Sequence, residues 1–258
     1  MVKTALITGA SSGIGYELAK IMAAEKHNLV LVARREDKLK ELAEELKAKH
    51  SVSVKIIVAD LSKKEEVQKV YDICKYEKIE IEYLVNNAGF GYYGFFVEGD
   101  WSKTEQMLDL NMKSLTKMCY LFIPEMLKRK SGKVLNVAST AAFQPGPIMA
   151  AYFATKSYVL SFSEAISNEL KGTGVSVTCL CPGLTASGFQ DVSGMGESDM
   201  MKGKKIPTSK EVAEYGYKAM MKNEMTAIHG VMNAVMANAN RFLPRKVVLS
   251  IVRKLQGK

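Results

Sequence analysis

An α/β fold with a doubly wound parallel sheet of about seven strands is predicted by three features of the sequence. Short apolar runs rich in Val, Ile and Leu recur along the chain, segments of helical period separate them, and the first run leads into a glycine-rich turn. The runs are Lys3 to Thr8, Asn28 to Ala33, Val54 to Ala59, Ile81 to Val85, Lys133 to Ala138 and Val175 to Cys181, with a weaker seventh at Met225 to His229. The first six do not alternate strictly, as expected of strands covered on both faces. Ile14 to Glu25 follows the first run with helical period. Glu36 to His50 places Leu39, Leu42 and Leu46 on one face. Lys63 to Tyr76 is expected to start at an Ser62 N-cap, with Glu65 and Glu66 in the first turn. Trp101 to Arg129 and Ala150 to Lys171 are the long helices. Strand–helix alternation implies right-handed crossovers.

No repeat, low-complexity tract or linker interrupts residues 1–258, so one domain is expected. Two segments break its rhythm. Residues 184–208 carry Gly188, Gly194, Gly196, Gly203 and several methionines without firm period, which suits a substrate-binding loop. The tail at 241–258 is basic and amphipathic: Val247, Val248, Ile251, Val252 and Leu255 share a helical face, and no acidic residue follows Pro244.

The 258 residues are 47% hydrophobic and 24% charged, which excludes wholesale disorder, and no run approaches the ~20 apolar residues of a membrane span. Met1-Val2-Lys3-Thr4 enters the first run at once, without the pattern of a secretory leader, so a cytoplasmic location is expected. Four cysteines and three histidines lack metal-ligand spacing, and no metal site is expected. The cysteines read as reduced core residues, with Cys179 and Cys181 expected on opposite faces of a strand. The formal charge of +9 fits a solvated lysine-rich surface or an anionic partner. Its dispersed cations and lack of a motif argue against nucleic acid.

Chemistry begins at Thr8-Gly9-Ala10-Ser11-Ser12-Gly13-Ile14-Gly15. Glycines allow a sharp turn and close approach of a ligand, and the following helix offers free N–H groups to a phosphate. A strand before and a helix after are the context a dinucleotide needs. The second strand ends in Ala33-Arg34-Arg35, where an acidic residue would select NAD. Guanidinium suits a 2′-phosphate, so NADP is preferred over NAD, with Arg34 the first choice and Arg35 the second.

The sequence resembles the short-chain dehydrogenase/reductase family, whose fold is Rossmann-like. Thr8 to Gly15 matches its TGxxxGxG turn, Asn86-Asn87-Ala88-Gly89 its NNAG segment, and Pro182-Gly183 its PG segment. Asn111, Ser139, Tyr152 and Lys156 fall where the family places its catalytic tetrad. Asp60-Leu61 matches the adenine contact, and Ser187 stands where many members have threonine. The resemblance implies that Gly9, Ser11, Ser12, Gly13, Ile14, Gly15, Asn87, Ala88, Gly89, Pro182, Gly183, Thr185 and Ser187 hold the cofactor, with Tyr152 and Lys156 at its nicotinamide ribose. It also implies a homodimer or homotetramer through the two long helices. Leu31 to Leu39 and Arg241 to Arg245 resemble a broad bacterial-type subgroup of unassigned reductases.

Tyrosine's ordinary pKa of ~10 is high for proton exchange at neutral pH, and a nearby ammonium lowers it. Tyr152 and Lys156 are one helical turn apart, so Lys156 is expected to tune Tyr152 as general acid or base. Ser139 would hold the substrate oxygen. By resemblance, Asn111 would anchor a water that relays protons to Lys156. Each has a structural alternative: Ser139 a helix cap, Tyr152 a core aromatic, Lys156 a solvated lysine, Asn111 a buried amide satisfied by backbone.

For the substrate, Phe90, Tyr92, Tyr93, Phe95 and Phe96 suggest an apolar wall, Phe143, Gln144 and Ile148 a pocket lining, and Phe189 a loop contact. The expected reaction is NADP(H)-dependent interconversion of a bulky, apolar ketone or aldehyde and its alcohol. Reduction of a 3-oxoacyl thioester and a non-catalytic NADP-binding sensor are the alternatives. The basic tail suits an anionic membrane surface or docking on the domain or a partner subunit.

Overall fold

The computed structural model describes residues 2–187, 206–240 and 242–256. One parallel sheet contains β1 (Thr4–Thr8), β2 (Asn28–Ala33), β3 (Val54–Val58), β4 (Ile81–Asn86), β5 (Gly132–Val137), β6 (Val175–Cys181) and β7 (Thr226–Ile228). The spatial order is β3-β2-β1-β4-β5-β6-β7. The order reverses between β1 and β4, and such a switch point opens a crevice at the carboxyl ends of the strands.

Helices α1 (Gly13–Ala24), α2 (Glu36–His50), α3 (Glu66–Tyr76), α4 (Trp101–Leu108), α5 (Leu115–Arg129), α6 (Ala150–Glu169) and α7 (Ser209–Met221) follow in order, with α8 (Val231–Ala239) and α9 (Arg245–Leu255) after β7. Alternate strand residues serve opposite faces. Ala5 and Ile7 pack with Leu18 and Met22 of α1, Leu42 of α2 and Val212 of α7. Leu6 packs with Val70 of α3, Phe122 of α5 and Val159 of α6. Both faces of β1 are thus sealed, which explains its unbroken apolar run.

Several boundaries differ from expectation. Helix α3 starts at Glu66, because Ser62 donates its backbone N–H and its hydroxyl to Asp60 Oδ1 in a local turn instead of capping. The long helix expected from Trp101 to Arg129 is divided. Asp100 caps α4 by accepting from the Ser102 and Lys103 N–H groups, and a π-helical turn (Asp109–Ser114) then separates α4 from α5. All four cysteines are buried and free. Cys179 and Cys181 share one face of β6, their sulfurs 3.9 Å apart, because residues two apart in a strand point the same way.

The tail forms α9, and its apolar face is divided. Val248 and Val252 are buried against the domain, whereas Val247, Ile251 and Leu255 are exposed. Residues 188–205 lie outside the described residues, with Phe189 and most of the expected substrate loop. Among the described residues, no helix is long and apolar enough to cross a membrane.

Candidate active site

A cleft of about 560 Å³ opens at the carboxyl ends of the strands. Its floor begins at the turn after β1. Gly9 and Gly13 have φ of +67° and +61°, backbone that side chains disfavour. A Cβ on Gly15 would meet Gly9 O at 2.6 Å and press on Asn87 Nδ2. Glycine here lets α1 approach the turn and leaves a backbone-lined cradle. Thr8 locks that cradle to the loop after β4: its hydroxyl accepts from the Asn87 and Ala88 N–H groups and donates to Val85 O. Asn87 Nδ2 donates back to Thr8 O at 2.9 Å. Asn86 instead points into the core, donating to Asn136 Oδ1. The two asparagines of one motif therefore do different work.

Of the residues expected to hold the cofactor, Gly9, Ser11, Ser12, Gly13, Ile14, Arg34, Arg35, Asp60, Leu61, Asn87, Ala88, Gly89, Tyr152, Lys156, Pro182, Gly183, Thr185 and Ser187 line the cleft. Gly15 lies beneath it. Both arginines are exposed at its rim. Arg35 donates from Nε and Nη2 to Ser11 Oγ and from Nη2 to Ser11 O, so it fastens the end of β2 to the glycine turn. These residues fit a dinucleotide: glycines where backbone must come close, and paired guanidinium groups where a phosphate would lie.

At the other end, Ser139 follows β5 and Tyr152 and Lys156 project from α6 into the same cleft. Lys156 Nζ lies 5.8 Å from the Tyr152 ring centroid and donates to Val137 O at 2.9 Å. Ser139 Oγ accepts from the Ala141 N–H at 3.1 Å, capping the short helical turn Thr140–Phe143, so the capping role holds alongside its place in the cleft. Burial pushes the Tyr152 phenol up to about 12, with a hydrogen bond from Ser139 opposing it. Burial also lowers Lys156 to about 8, against weaker opposition from Cys179 and Cys181. In the free protein desolvation is the largest influence on both groups.

Asn111 occupies the π-helical turn and lies behind the cleft wall, fully buried. Its Nδ2 donates to Phe90 O at 2.9 Å and to Thr155 Oγ1 at 3.1 Å, and its Oδ1 accepts from Phe90 N–H. A side chain on Gly89 would meet Asn111 Oδ1 at 3.0 Å and Lys156 Nζ at 3.6 Å, which places both polar groups beside one point. The extra residue in the π turn aims this amide at the Gly89–Phe90 backbone.

The aromatic wall is smaller than expected. Phe90 and Gln144 line the cleft. Tyr92 and Tyr93 pack behind it, and Phe95 and Phe96 face solvent, because Gly94 bonds to Ile148 O and turns the chain outward. Phe143 lines a neighbouring cavity, and Ile148 is buried at φ +70° away from the cleft. Met149 and Phe153 line the cleft unforeseen, as does Gln256 from the far end of the chain, and Leu184 from the start of the expected substrate loop lines it too. Met149 lies three residues before Tyr152, a helical spacing that marks it; nothing comparable marks Phe153 or Gln256.

The family profile described as "short chain dehydrogenase" matches residues 3–197. The very-long-chain 3-oxoacyl-CoA reductase of Rattus norvegicus is 31% identical over 257 residues, 96% of this chain and 78% of that protein. A short-chain dehydrogenase from Sphingobium yanoikuyae, solved in complex with NADPH, superposes with a TM-score of 0.82 at 28% identity, covering 93% of this chain and 94% of that one. The bulky-bulky ketone specific alcohol dehydrogenase from Comamonas testosteroni superposes at 0.80 with 27% identity, covering 93% and 92%. With the profile spanning most of the chain, the chain belongs to the short-chain dehydrogenase family.

Proposed function

We propose that the protein reduces a bulky, largely apolar ketone or aldehyde to its alcohol with NADPH. The observation that carries this reading is one cleft holding a glycine cradle and two arginines at one end and Ser139, Tyr152 and Lys156 at the other. When bound, the dinucleotide supplies the hydride. The chain supplies the rest. Ser139 holds the carbonyl oxygen, and Tyr152 delivers a proton to it as negative charge develops. Lys156, held by Val137 O, places an ammonium beside the phenol and the nicotinamide ribose. Asn111 fixes the Phe90 backbone that forms the adjoining wall. Phe90, Met149, Phe153 and Leu184 exclude water around the reacting carbon. The NADPH-bound and ketone-specific neighbours support this choice of cofactor and substrate.

A carbonyl panel followed by NADPH consumption, with NADH in parallel, tests it. NADPH should give the faster turnover, and bulky ketones should surpass small charged ones. Faster turnover with NADH overturns the cofactor choice. Arg34 and Arg35 should together grip the 2′-phosphate: replacing both with serine should raise KM for NADPH about 10- to 100-fold, the range for lost charge-assisted hydrogen bonds. KM for NADH should stay nearly constant. Equal changes for both cofactors would deny the arginines this role.

The likeness to the rat enzyme favours a second substrate class, 3-oxoacyl thioesters, which belongs in the same panel. A non-catalytic sensor would bind NADPH and turn over nothing. The exposed Tyr120 of α5 and Tyr158 of α6 suit a homo-oligomeric contact between these helices. The outer side of α9 suits an anionic lipid surface. It exposes Val247, Ile251 and Leu255 beside Arg245, Lys246, Arg253 and Lys254, and the chain holds no acidic residue after Glu224. Sedimentation with anionic liposomes should be lost when these four cations become glutamine. Binding that survives the change removes the membrane contact.

A further inference from the structure

The C-terminal helix completes the cleft. Val248 and Val252 of α9 share a buried cluster with Met107, Tyr152 and Phe153. The Tyr93 hydroxyl donates to Gln256 O at 2.7 Å and pins the turn that ends the helix. Gln256 is thereby 1% exposed and lines the same cleft as Tyr152. Its side-chain Nε2 and Oε1 are both buried without a hydrogen-bond partner among the described residues. Gln144, the other glutamine on the cleft, is satisfied differently: its Oε1 accepts from Asn240 Nδ2 at 2.8 Å.

An amide buried with both ends unpaired destabilises a fold, and a chain that keeps one in a ligand cleft has a use for it. The wall beside it is apolar, through Phe90, Ala141, Met149 and Leu184. That wall disfavours a charged group, whereas a primary amide both donates and accepts. We propose that Gln256 is a specificity-determining residue that binds an uncharged hydroxyl on the substrate, separate from the carbonyl oxygen held by Ser139 and Tyr152. This rests on the carbonyl-reductase reading and narrows its substrate to a hydroxylated ketone.

The test compares wild type with Gln256→Met, a near-isosteric apolar replacement. Propiophenone and its 2′-, 3′- and 4′-hydroxy isomers serve as substrates with NADPH. Wild type should favour one hydroxylated isomer over propiophenone by roughly tenfold in kcat/KM, and the variant should bring that ratio to within about twofold of unity. The free variant should also unfold at a temperature a few degrees higher, because an orphaned amide has been removed. Equal isomer ratios in the two proteins, or no preference in wild type, would overturn the proposal. If none of the four ketones consumes NADPH, the reductase reading loses its support, and thermal unfolding decides Gln256 separately. A larger upward shift of wild type than of the variant on adding the hydroxypropiophenones supports the contact. Equal shifts refute it.

Discussion

Replacing Tyr152 with phenylalanine is expected to lower ketone reduction by about 10²- to 10⁴-fold, the range for loss of a positioned general acid. The substitution removes one oxygen and little else. The Tyr152 ring meets Phe153 edge-on at 6.1 Å between centroids and packs with Met107 and Val248, contacts that phenylalanine keeps. The fold should therefore persist, and NADPH titration by fluorescence should give a dissociation constant within about threefold of wild type, since one neutral hydrogen bond is worth little more. Loss of turnover with retained cofactor separates proton delivery from binding. Turnover within tenfold of wild type would move the proton donor elsewhere and remove the central element of the mechanism.

The second large effect is on the pH profile. Burial holds the Lys156 ammonium near a pKa of about 8, from an ordinary 10.5. Proton delivery by Tyr152 is helped only by the charged form. The charged form is present below the lowered pKa and lost above it. So kcat/KM for NADPH, which reports ionisations of the free enzyme, should hold steady below about pH 8 and fall nearly tenfold per unit above it. Lys156→Arg keeps a cation that does not titrate in this range, so the fall should vanish even if the rate is reduced. A fall near pH 8 that persists in Lys156→Arg would assign it to another group. Lys156→Met should lose about 10²-fold below pH 8, and the gap to wild type should close as pH rises above it. Stability moves in the opposite direction to activity: between about pH 8 and 10.5 the unfolded chain binds more protons at this lysine than the folded one. Relative to Lys156→Met, wild type should therefore gain thermal stability as pH rises through that window.

Much of this arrangement was readable in the sequence. The strands of a two-sided parallel sheet are continuous apolar runs, and β2 and β6 match their expected bounds, Asn28–Ala33 and Val175–Cys181. The glycine turn was readable because backbone that must bend sharply beneath a helix admits few residues. Other features depend on partners distant in sequence. The π-helical turn at Asn111 is fixed by bonds to Phe90 and Thr155, so residues 101–129 alone read as one helix. Phe95 and Phe96 share composition with Phe90 and still face solvent, because a bond from Gly94 to Ile148 O sets their direction. Thr8 looked like part of a glycine motif. Its hydroxyl is the joint between two loops about 80 residues apart.

The sequence by itself determined the sheet, its glycine cradle and the spacing of Tyr152 and Lys156 on one helix, since all three follow from local periodicity and backbone freedom. Tertiary structure decided the rest. It buried the Tyr152 phenol, which pushes it up, and it turned Arg35 onto Ser11. It also carried Gln256 to a cleft whose first glycine lies at residue 9. Desolvation and long-range contact are properties of what surrounds a side chain, and those surroundings exist only once the chain has closed on itself.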